Sequence, residues 1–223
     1  MNVTEAVNSR RSVRQFLDKP VDLAVLKKVL ETAQRSPSGG NTQPWNAVVV
    51  TGDELTKIAD AIKAKVPTAP MGENMEYDIY PKDLDGRYED QRRGVGKEMF
   101  KALELGREDG PARIAQMAKN WDSFGAPVQL FTFTRKYMGP PQWSDMGMWL
   151  QTVMLLLREE GLDSCSQEIW ALYGKMMREL LGIDDDHIFF CGMAIGYRDP
   201  DAPINNFHVP RVDVEDAIEF RGF

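Results

Sequence analysis

The sequence predicts a mixed fold of helices and strands, α+β or α/β, within one domain. Segments with helical periodicity alternate along the chain with short β-branched or apolar runs that are typical of strands. The 223 residues suffice for one domain with a substantial core but are few for two. Because no internal repeat or low-complexity segment interrupts the chain, we expect residues 1–223 to form a single domain.

The first elements are placed by their caps and breakers. Residues 3–10 predict a short helix. Asp22 is predicted to cap a second helix, which must end before Pro37 because the residue preceding a proline disfavours helical geometry. Residues 47–50 predict a buried strand, and Asp53 is the expected cap of the third helix.

The middle of the chain predicts a variable excursion over about residues 65–125. Residues 67–86 are rich in Pro, Gly, Asp and Tyr and show no periodicity, which favours a long functional loop such as a lid. Two helical patches follow, one around Met99 and one from Ile114 to Trp121.

The last elements include one unusually apolar helix. After a predicted strand at 127–134, apolar side chains recur over 146–157 on nearly every side of a helix. Such a helix needs partners all round, which either a central position in a monomer or a dimer core provides. A helix near 172–180, a strand at 188–195 and an extended tail over 199–223, ending in an alternating segment, complete the prediction.

Composition limits the partners and the location. Hydrophobic residues make up 43%, charged residues 27%, and the formal net charge is −7. This acidic balance disfavours nucleic acid and anionic membranes, although a local cationic cluster can still bind a small anion. No signal peptide and no stretch of roughly 18 apolar residues is found, so we expect a cytoplasmic protein without membrane spans.

Several common chemical motifs are missing. Gly94-Val95-Gly96 begins a dinucleotide fingerprint but lacks the third glycine, and no P-loop, nucleophile elbow or zinc-protease motif occurs. Two histidines and two cysteines match no zinc spacing, and Cys165 and Cys191 are expected to be small core residues. The sequence therefore predicts no metal site and no disulfide framework.

Two strings carry the chemistry that is present. The first contains Arg10, Arg11, Ser12 and Arg14, whose forked cationic donors and hydroxyl suit a phosphate. The second, residues 36–45, combines small residues that admit a flat ligand with amides that pair ring atoms. Taken alone, the first string is more simply explained as a solvated basic turn, and the second as an ordinary loop between a helix and a strand.

Together the strings resemble the nitroreductase family of flavoproteins. The arginine–serine cluster is followed about 25 residues later by a P-S-x-x-N-x-Q-P-W loop at residues 37–45. Further segments resemble the family in the same order, and residues 65–125 are the least covered. These segments are 141–147 leading to Gln151, 161–170, 192–197 and 205–211.

The resemblance implies a nitroreductase-like α+β fold, with a central mixed or antiparallel sheet flanked by helices. It implies an intertwined homodimer with FMN at the interface and NADH or NADPH as electron donor. Flavin N5 would carry the hydride in two half-reactions, so no catalytic side chain is demanded. The acceptor would be a small electron-poor molecule, such as a nitroaromatic, quinone, enone or azo dye.

The resemblance also assigns cofactor contacts residue by residue. The first string would hold the phosphate, ribityl chain and pyrimidine edge, with Arg14 favouring reduction by its charge near N1 and C2=O. Gln151 would lie near the ring system. The partner chain would supply the loop residues Pro37, Ser38, Gly39 and Asn41. Backbone N–H groups of the turn at Ser166, Gln167 and Glu168 would contact N5.

Some assignments have alternatives. His208 and Arg211 match two positions that often carry cations at the phosphate, but a neutral imidazole supplies less charge and His208 could be a plain surface residue. Glu168 could be a helix-start carboxylate, and Gln151 a buried amide satisfied in the core. Phe124 is a candidate wall for the acceptor or a core residue.

Other activities also fit the resemblance. The fold hosts reductive dehalogenases, enone and quinone reductases, and flavin-fragmenting enzymes. A dehalogenase needs a lid that grips a zwitterionic amino acid, and no motif here predicts one. A flavin-binding redox module without turnover is disfavoured by the intact basic cluster and the aromatic lid.

Overall fold

A computed structural model describes all 223 residues. The helices and strands run in the order α1 (Val3–Ser9), α2 (Leu23–Ala33), β1 (Asn46–Thr51), α3 (Gly52–Lys65), α4 (Gly86–Ala102), α5 (Gly110–Ala118), β2 (Val128–Arg135), α6 (Pro140–Glu159), β3 (Asp163–Gln167), α7 (Gly174–Leu180), β4 (His187–Gly196) and α8 (Val214–Ala217). Short 3-10 turns lie at Gly39–Asn41, Lys119–Gly125, Glu168–Tyr173 and Pro203–Asn205. None of the helices is long and apolar enough to cross a membrane.

The four strands form one antiparallel sheet in the order β1-β2-β4-β3. At the outer edge of β3, the N-terminal segment adds a parallel bridge between Ser12 and Ser164. Helices cover both faces of this sheet, which confirms the predicted α+β class. The bridge matters for the site, because it fixes the first arginines beside β3.

Side chains of the central strands alternate between two cores, since successive strand residues point to opposite faces. Leu130 and Met193 pack with α2 and α6 on one face. Phe131 and Phe189 pack with α3 and α7 on the other. The fold is therefore a sheet between two helical layers, held by apolar burial on both sides.

Two predicted helix starts had different outcomes. Asp22 does cap α2, because its carboxylate accepts from the backbone N–H of Ala24 at 2.8 Å. The prediction for Asp53 was wrong: α3 begins at Gly52 with Thr51 in the cap position, without a side-chain cap bond. Asp53 lies instead in the first turn, where the helix dipole favours a carboxylate.

The outer parts of the fold required further corrections. β1 is an edge strand in which only Val50 is buried, because it pairs with β2 alone. The tail is not wholly extended: it contains the 3-10 turn at Pro203–Asn205 and helix α8. Helix α5 stops at Ala118, and Trp121 lies in the following turn with its ring in the second core.

Helix α6 is less enclosed than its sequence suggests. It begins at Pro140 and buries one side against the sheet and α2. The other side is only partly covered within the chain, and Met148 is 40% exposed.

The predicted long loop occupies residues 66–85 and packs against the body. The Tyr173 hydroxyl donates to the Ala69 carbonyl at 2.7 Å, and the Glu73 N–H donates to the Leu172 carbonyl at 2.8 Å. The Glu76 carboxylate accepts from the buried Arg178 and from the Phe189 N–H at 3.0 Å. That this loop acts as a lid over the site stays a prediction.

Candidate functional site

A cavity of about 570 Å³ opens where the N-terminal segment, α4, α6 and the C-terminal tail meet. Its lining contains seven residues that the sequence singled out. These are Arg10, Arg11, Ser12, Arg14, Gln151, His208 and Arg211.

Buried neighbours hold the arginine segment in place. Val13 and Phe16 lie in a core cluster beneath it, and the Val13 N–H donates to the Ser164 carbonyl at 3.1 Å. With these apolar side chains turned inward, the arginines are left at the cavity. Arg10 also forms the C-cap of α1, where the helix dipole favours a cation.

The four arginines of the cavity have no acidic partner. No Asp or Glu lines the cavity, and none of the ion pairs in the structure includes these side chains. Three of them bond only to backbone carbonyls: Arg14 to Ser12 at 3.2 Å, Arg11 to Phe207 at 3.5 Å and Arg211 to Val209 at 2.9 Å. A carbonyl dipole does not neutralise a guanidinium, so the cavity keeps a net positive charge.

Two of these arginines, Arg10 and Arg211, are close enough for the charge of one to change the pKa of the other. Burial, followed by the nearby positive charge of Arg211, lowers the pKa of Arg10. Two cations held close without a counter-ion favour binding of an anion, which relieves the repulsion and replaces lost water. This arrangement stands against the net charge of −7 of the chain.

The predicted turn after β3 lies along the same sheet edge. Ser166 and Gln167 end β3, two and three residues beyond Ser164, or about 7–10 Å at 3.3 Å per residue. Gln167 is buried and donates to the Asn120 carbonyl at 2.8 Å. Crowding by protein atoms around the carboxyl raises the pKa of Glu168. A ligand with a phosphate and a ring system can span this edge.

The loop from Pro37 to Asn41 does not line the cavity of its own chain. The Gly39 N–H donates to both carboxylate oxygens of Asp145, at 3.2 and 3.3 Å, which ties the loop to the start of α6. The Ser38 hydroxyl accepts from the Gln43 N–H at 3.0 Å. A contribution of this loop to a partner's cavity stays a prediction.

Phe124 occupies the core position that was its alternative. It is buried, and packs with Val13, Phe16 and Cys165 under the arginine segment. Its backbone carbonyl accepts from the Phe16 N–H at 3.1 Å. The structure therefore favours core packing at Phe124 over a wall that an acceptor touches.

Seven lining residues escaped the sequence reasoning, among them Val95 of α4, and Asn205 and Phe207 of the tail. Val95 lies between two glycines in the segment that the resemblance covers least. Asn205 and Phe207 fall inside the matched segment 205–211, but only its cations drew attention. The aromatic ring of Phe207 was an available signal, whereas the contacts of Asn205 could not be read from the sequence.

Fold and site together place a cationic cavity, of a size and charge that suit a phosphate-bearing organic ligand, at the edge of an α+β sheet. The cationic cavity suits the phosphate, and the amide of Gln151 adds a polar group for a ring. The chain belongs to the nitroreductase family, whose model, "Nitroreductase family", matches residues 7–197.

Similar proteins agree with this membership. The chain is 31% identical to a 4-nitrobenzoate reductase of Pseudomonas putida, over 97% of this chain and 94% of the relative. It is 31% identical to the nitrobenzene nitroreductase of Ectopseudomonas oleovorans, over 98% and 96%. The crystal structure of the FMN and NADPH-dependent nitroreductase NfnB from Sphigopyxis sp. strain HMH is 50% identical, covers both chains fully and superposes with a TM-score of 0.98.

Proposed function

We propose that the protein is a homodimeric FMN-dependent nitroreductase that takes electrons from NADPH or NADH. Its acceptors are nitroaromatic or related electron-poor molecules. The observation that carries this proposal is the cavity with four arginines and no carboxylate, within a chain of the nitroreductase family. FMN, when bound, supplies two-electron transfer between a reduced nicotinamide and an acceptor.

The residues of the chain divide the work of holding such a cofactor. Arg10, Arg11 and Arg211, with the Ser12 hydroxyl, would hold the phosphate through charge-assisted hydrogen bonds. Arg14 would place its charge at the pyrimidine edge, where a cation stabilises a reduced ring. No Asp or Glu of the lining opposes either task.

Donor and acceptor would use one site in turn, which gives a two-step scheme. The sequence offers no complete dinucleotide fingerprint for a separate nicotinamide site. The named activities of two relatives, on 4-nitrobenzoate and nitrobenzene, support nitroaromatics as the acceptor class. Proton delivery from solvent suffices, so no side chain is needed as an acid.

A second copy of the chain would complete the site. The Pro37–Asn41 loop lies outside the cavity of its own chain, and the apolar helix α6 keeps Met148 exposed. A two-fold dimer would bury that side of α6 and bring the loop to the partner's cavity. These two features support the homodimer.

The proposal is tested by steady-state kinetics with NADPH and 4-nitrobenzoate at several concentrations of each. Parallel double-reciprocal lines are expected for two half-reactions at one site, and intersecting lines would contradict the two-step scheme. Quinones, enones and halotyrosines form the comparison panel. Turnover of halotyrosines without turnover of any nitroaromatic would overturn the acceptor class in favour of reductive dehalogenation.

A further inference from the structure

Asn205 joins the N-terminal segment to the C-terminal tail by its side chain. It ends the 3-10 turn at Pro203–Asn205 and is 3% exposed. Its Oδ1 accepts from the Arg14 N–H at 2.8 Å. Its Nδ2 donates to the carbonyls of Gln15 and Asp199, each at 2.8 Å. One amide thus connects three points of the backbone.

The donors of this amide are fully used inside the protein. An asparagine has two N–H donors, and both point at carbonyls here. Asn205 lines the cavity but has no donor left for an anion. Any effect on a bound anion must therefore pass through the groups that it holds.

Those groups are the cationic parts of the cavity. Arg14 has its backbone fixed by Asn205, and its guanidinium lies 5.9 Å from the ring centre of Phe207. Phe207 in turn offers its carbonyl to Arg11 at 3.5 Å, and the chain reaches Arg211 four residues later. Asn205 is thus a buried link between the two halves of the arginine cluster.

We propose that Asn205 is a positioning residue that sets the spacing of the arginines for binding a phosphate group. This inference rests on the proposed function only for the identity of the ligand as FMN. The spacing itself requires only that the cavity bind a phosphate-bearing anion. Loss of the amide would leave the Arg14 N–H without its partner and let the Arg14 backbone shift relative to the tail.

The test replaces Asn205 by leucine, which has similar size and no hydrogen-bonding group. Asn206→Leu is the matched control, because that exposed neighbour bonds only within the tail, to Pro200 at 3.0 Å and Ala202 at 3.3 Å. Dissociation constants for FMN and for inorganic pyrophosphate are measured by calorimetry at low and high salt. If the leucine variant does not fold, the same dissociation constants are measured for Asn205→Ser, whose side chain is smaller.

For Asn205→Leu we expect both anions to bind about tenfold more weakly or worse, because the arginines are no longer held at the spacing that lets several of them bond one anion. We also expect a smaller salt dependence, since fewer arginines reach the anion together. A merely structural defect would lower the melting temperature and leave the salt dependence of the folded protein unchanged. Asn206→Leu should stay within about twofold of the unchanged protein.

Folded Asn205 variants that bind both anions as tightly as the unchanged protein, with the same salt dependence, would overturn the inference. If the unchanged protein binds pyrophosphate but not FMN, the proposal that FMN is the cofactor is wrong. The pyrophosphate affinities of the Asn205 variants then still decide the role of Asn205. Binding of neither anion would overturn both proposals.

Discussion

Arginines in this chain differ in whether a carboxylate is bound to the guanidinium. Arg158 and Arg198 bond the buried Asp163 carboxylate, each with a shortest distance of 2.9 Å. By contrast, the cavity arginines find only carbonyl groups within the chain. A guanidinium that is partly buried without a counter-ion is costly unless a ligand supplies the charge. The clustering of arginines around one cavity without a carboxylate therefore marks the site, whereas Arg158 and Arg198 stabilise the fold.

Arg10→Ala should weaken FMN binding by about tenfold or more, because a hydrogen bond to a charged group contributes about 1.5–3 kcal/mol. Fluorescence titration of the apoprotein with FMN measures this loss. Arg35→Ala is the control, since Arg35 is exposed and outside the cavity. Equal affinity of the two variants would remove Arg10 from the site.

The two cysteines give a prediction about pH. Burial raises the pKa of the Cys165 thiol, and that of Cys191 to about 12. An unfolded thiol ionises near 8.5, so the unfolded chain releases protons first and stability should fall as pH rises from about 9 toward 12. Urea unfolding across this range measures the slope, which Cys191→Ala should reduce. An unchanged slope in that variant would contradict the assignment.

The same burial predicts that the thiols are unreactive in the native state. Ellman's reagent at pH 8 should modify neither Cys165 nor Cys191 until the protein is unfolded, after which both react. Rapid modification of the folded protein would show that one thiol is accessible.

At single positions, the sequence predicted charge better than packing. The run from Arg10 to Arg14 can be recognised in the sequence, because cations that are close in sequence form a cluster whatever the tertiary structure. Val95 and Asn205 could not be placed in the same way, since their contacts join segments about a hundred residues apart or more. Phe124 was ambiguous because an aromatic residue serves a core and a ligand wall equally well.

Among the elements, the loop at 66–85 depends on a buried ion pair. Arg178 of α7 holds Glu76 of the loop and also the exposed Asp185. The Glu76 carboxylate additionally accepts from the Phe189 N–H of β4. This pair therefore ties the loop to the sheet.

Glu76→Gln should lower the free energy of unfolding by about 3 kcal/mol, because removing one partner leaves the buried Arg178 charge undercompensated. Asp185→Asn is the matched control on the same arginine. Asp185 is 92% exposed in its side chain, so solvent screening should make its loss much less destabilising than the loss of Glu76. Urea unfolding measures both, and equal losses would show that the Glu76 pair is not the anchor.

Element boundaries were predictable where local chemistry decides them. The Asp22 cap and the end of α2 follow from side-chain and proline geometry. The exposure of β1 was not predictable, because an edge strand and a central strand share the same β-branched composition. Helix α8 is four residues long, too short for a periodic pattern to reveal it.

At the scale of the whole molecule, the exposed side of α6 carries the proposal of a dimer. The sequence shows an apolar helix and leaves open whether one chain or two enclose it. Within the chain, α6 is covered on the side of α2 and the sheet and partly open around Met148. Pattern alone cannot distinguish these cases, because periodicity records that a face is apolar and not what covers it.

Met148→Glu should shift the protein from a dimer toward a monomer and reduce FMN retention, since it places a charge in the proposed interface. Light scattering after size exclusion should give about twice 25.3 kDa for the unchanged protein. Met71→Glu serves as control, because Met71 is 81% exposed on the loop. A monomeric unchanged protein that still retains FMN would contradict the shared site.

The most direct test of the central claim is the visible absorption spectrum of the protein reconstituted with FMN and desalted, before and after NADPH is added without oxygen. We predict retained flavin bands that bleach on addition of NADPH and return when a nitroaromatic follows. A protein that stays colourless after incubation with FMN, or a bound flavin that neither NADPH nor NADH bleaches, would contradict the account.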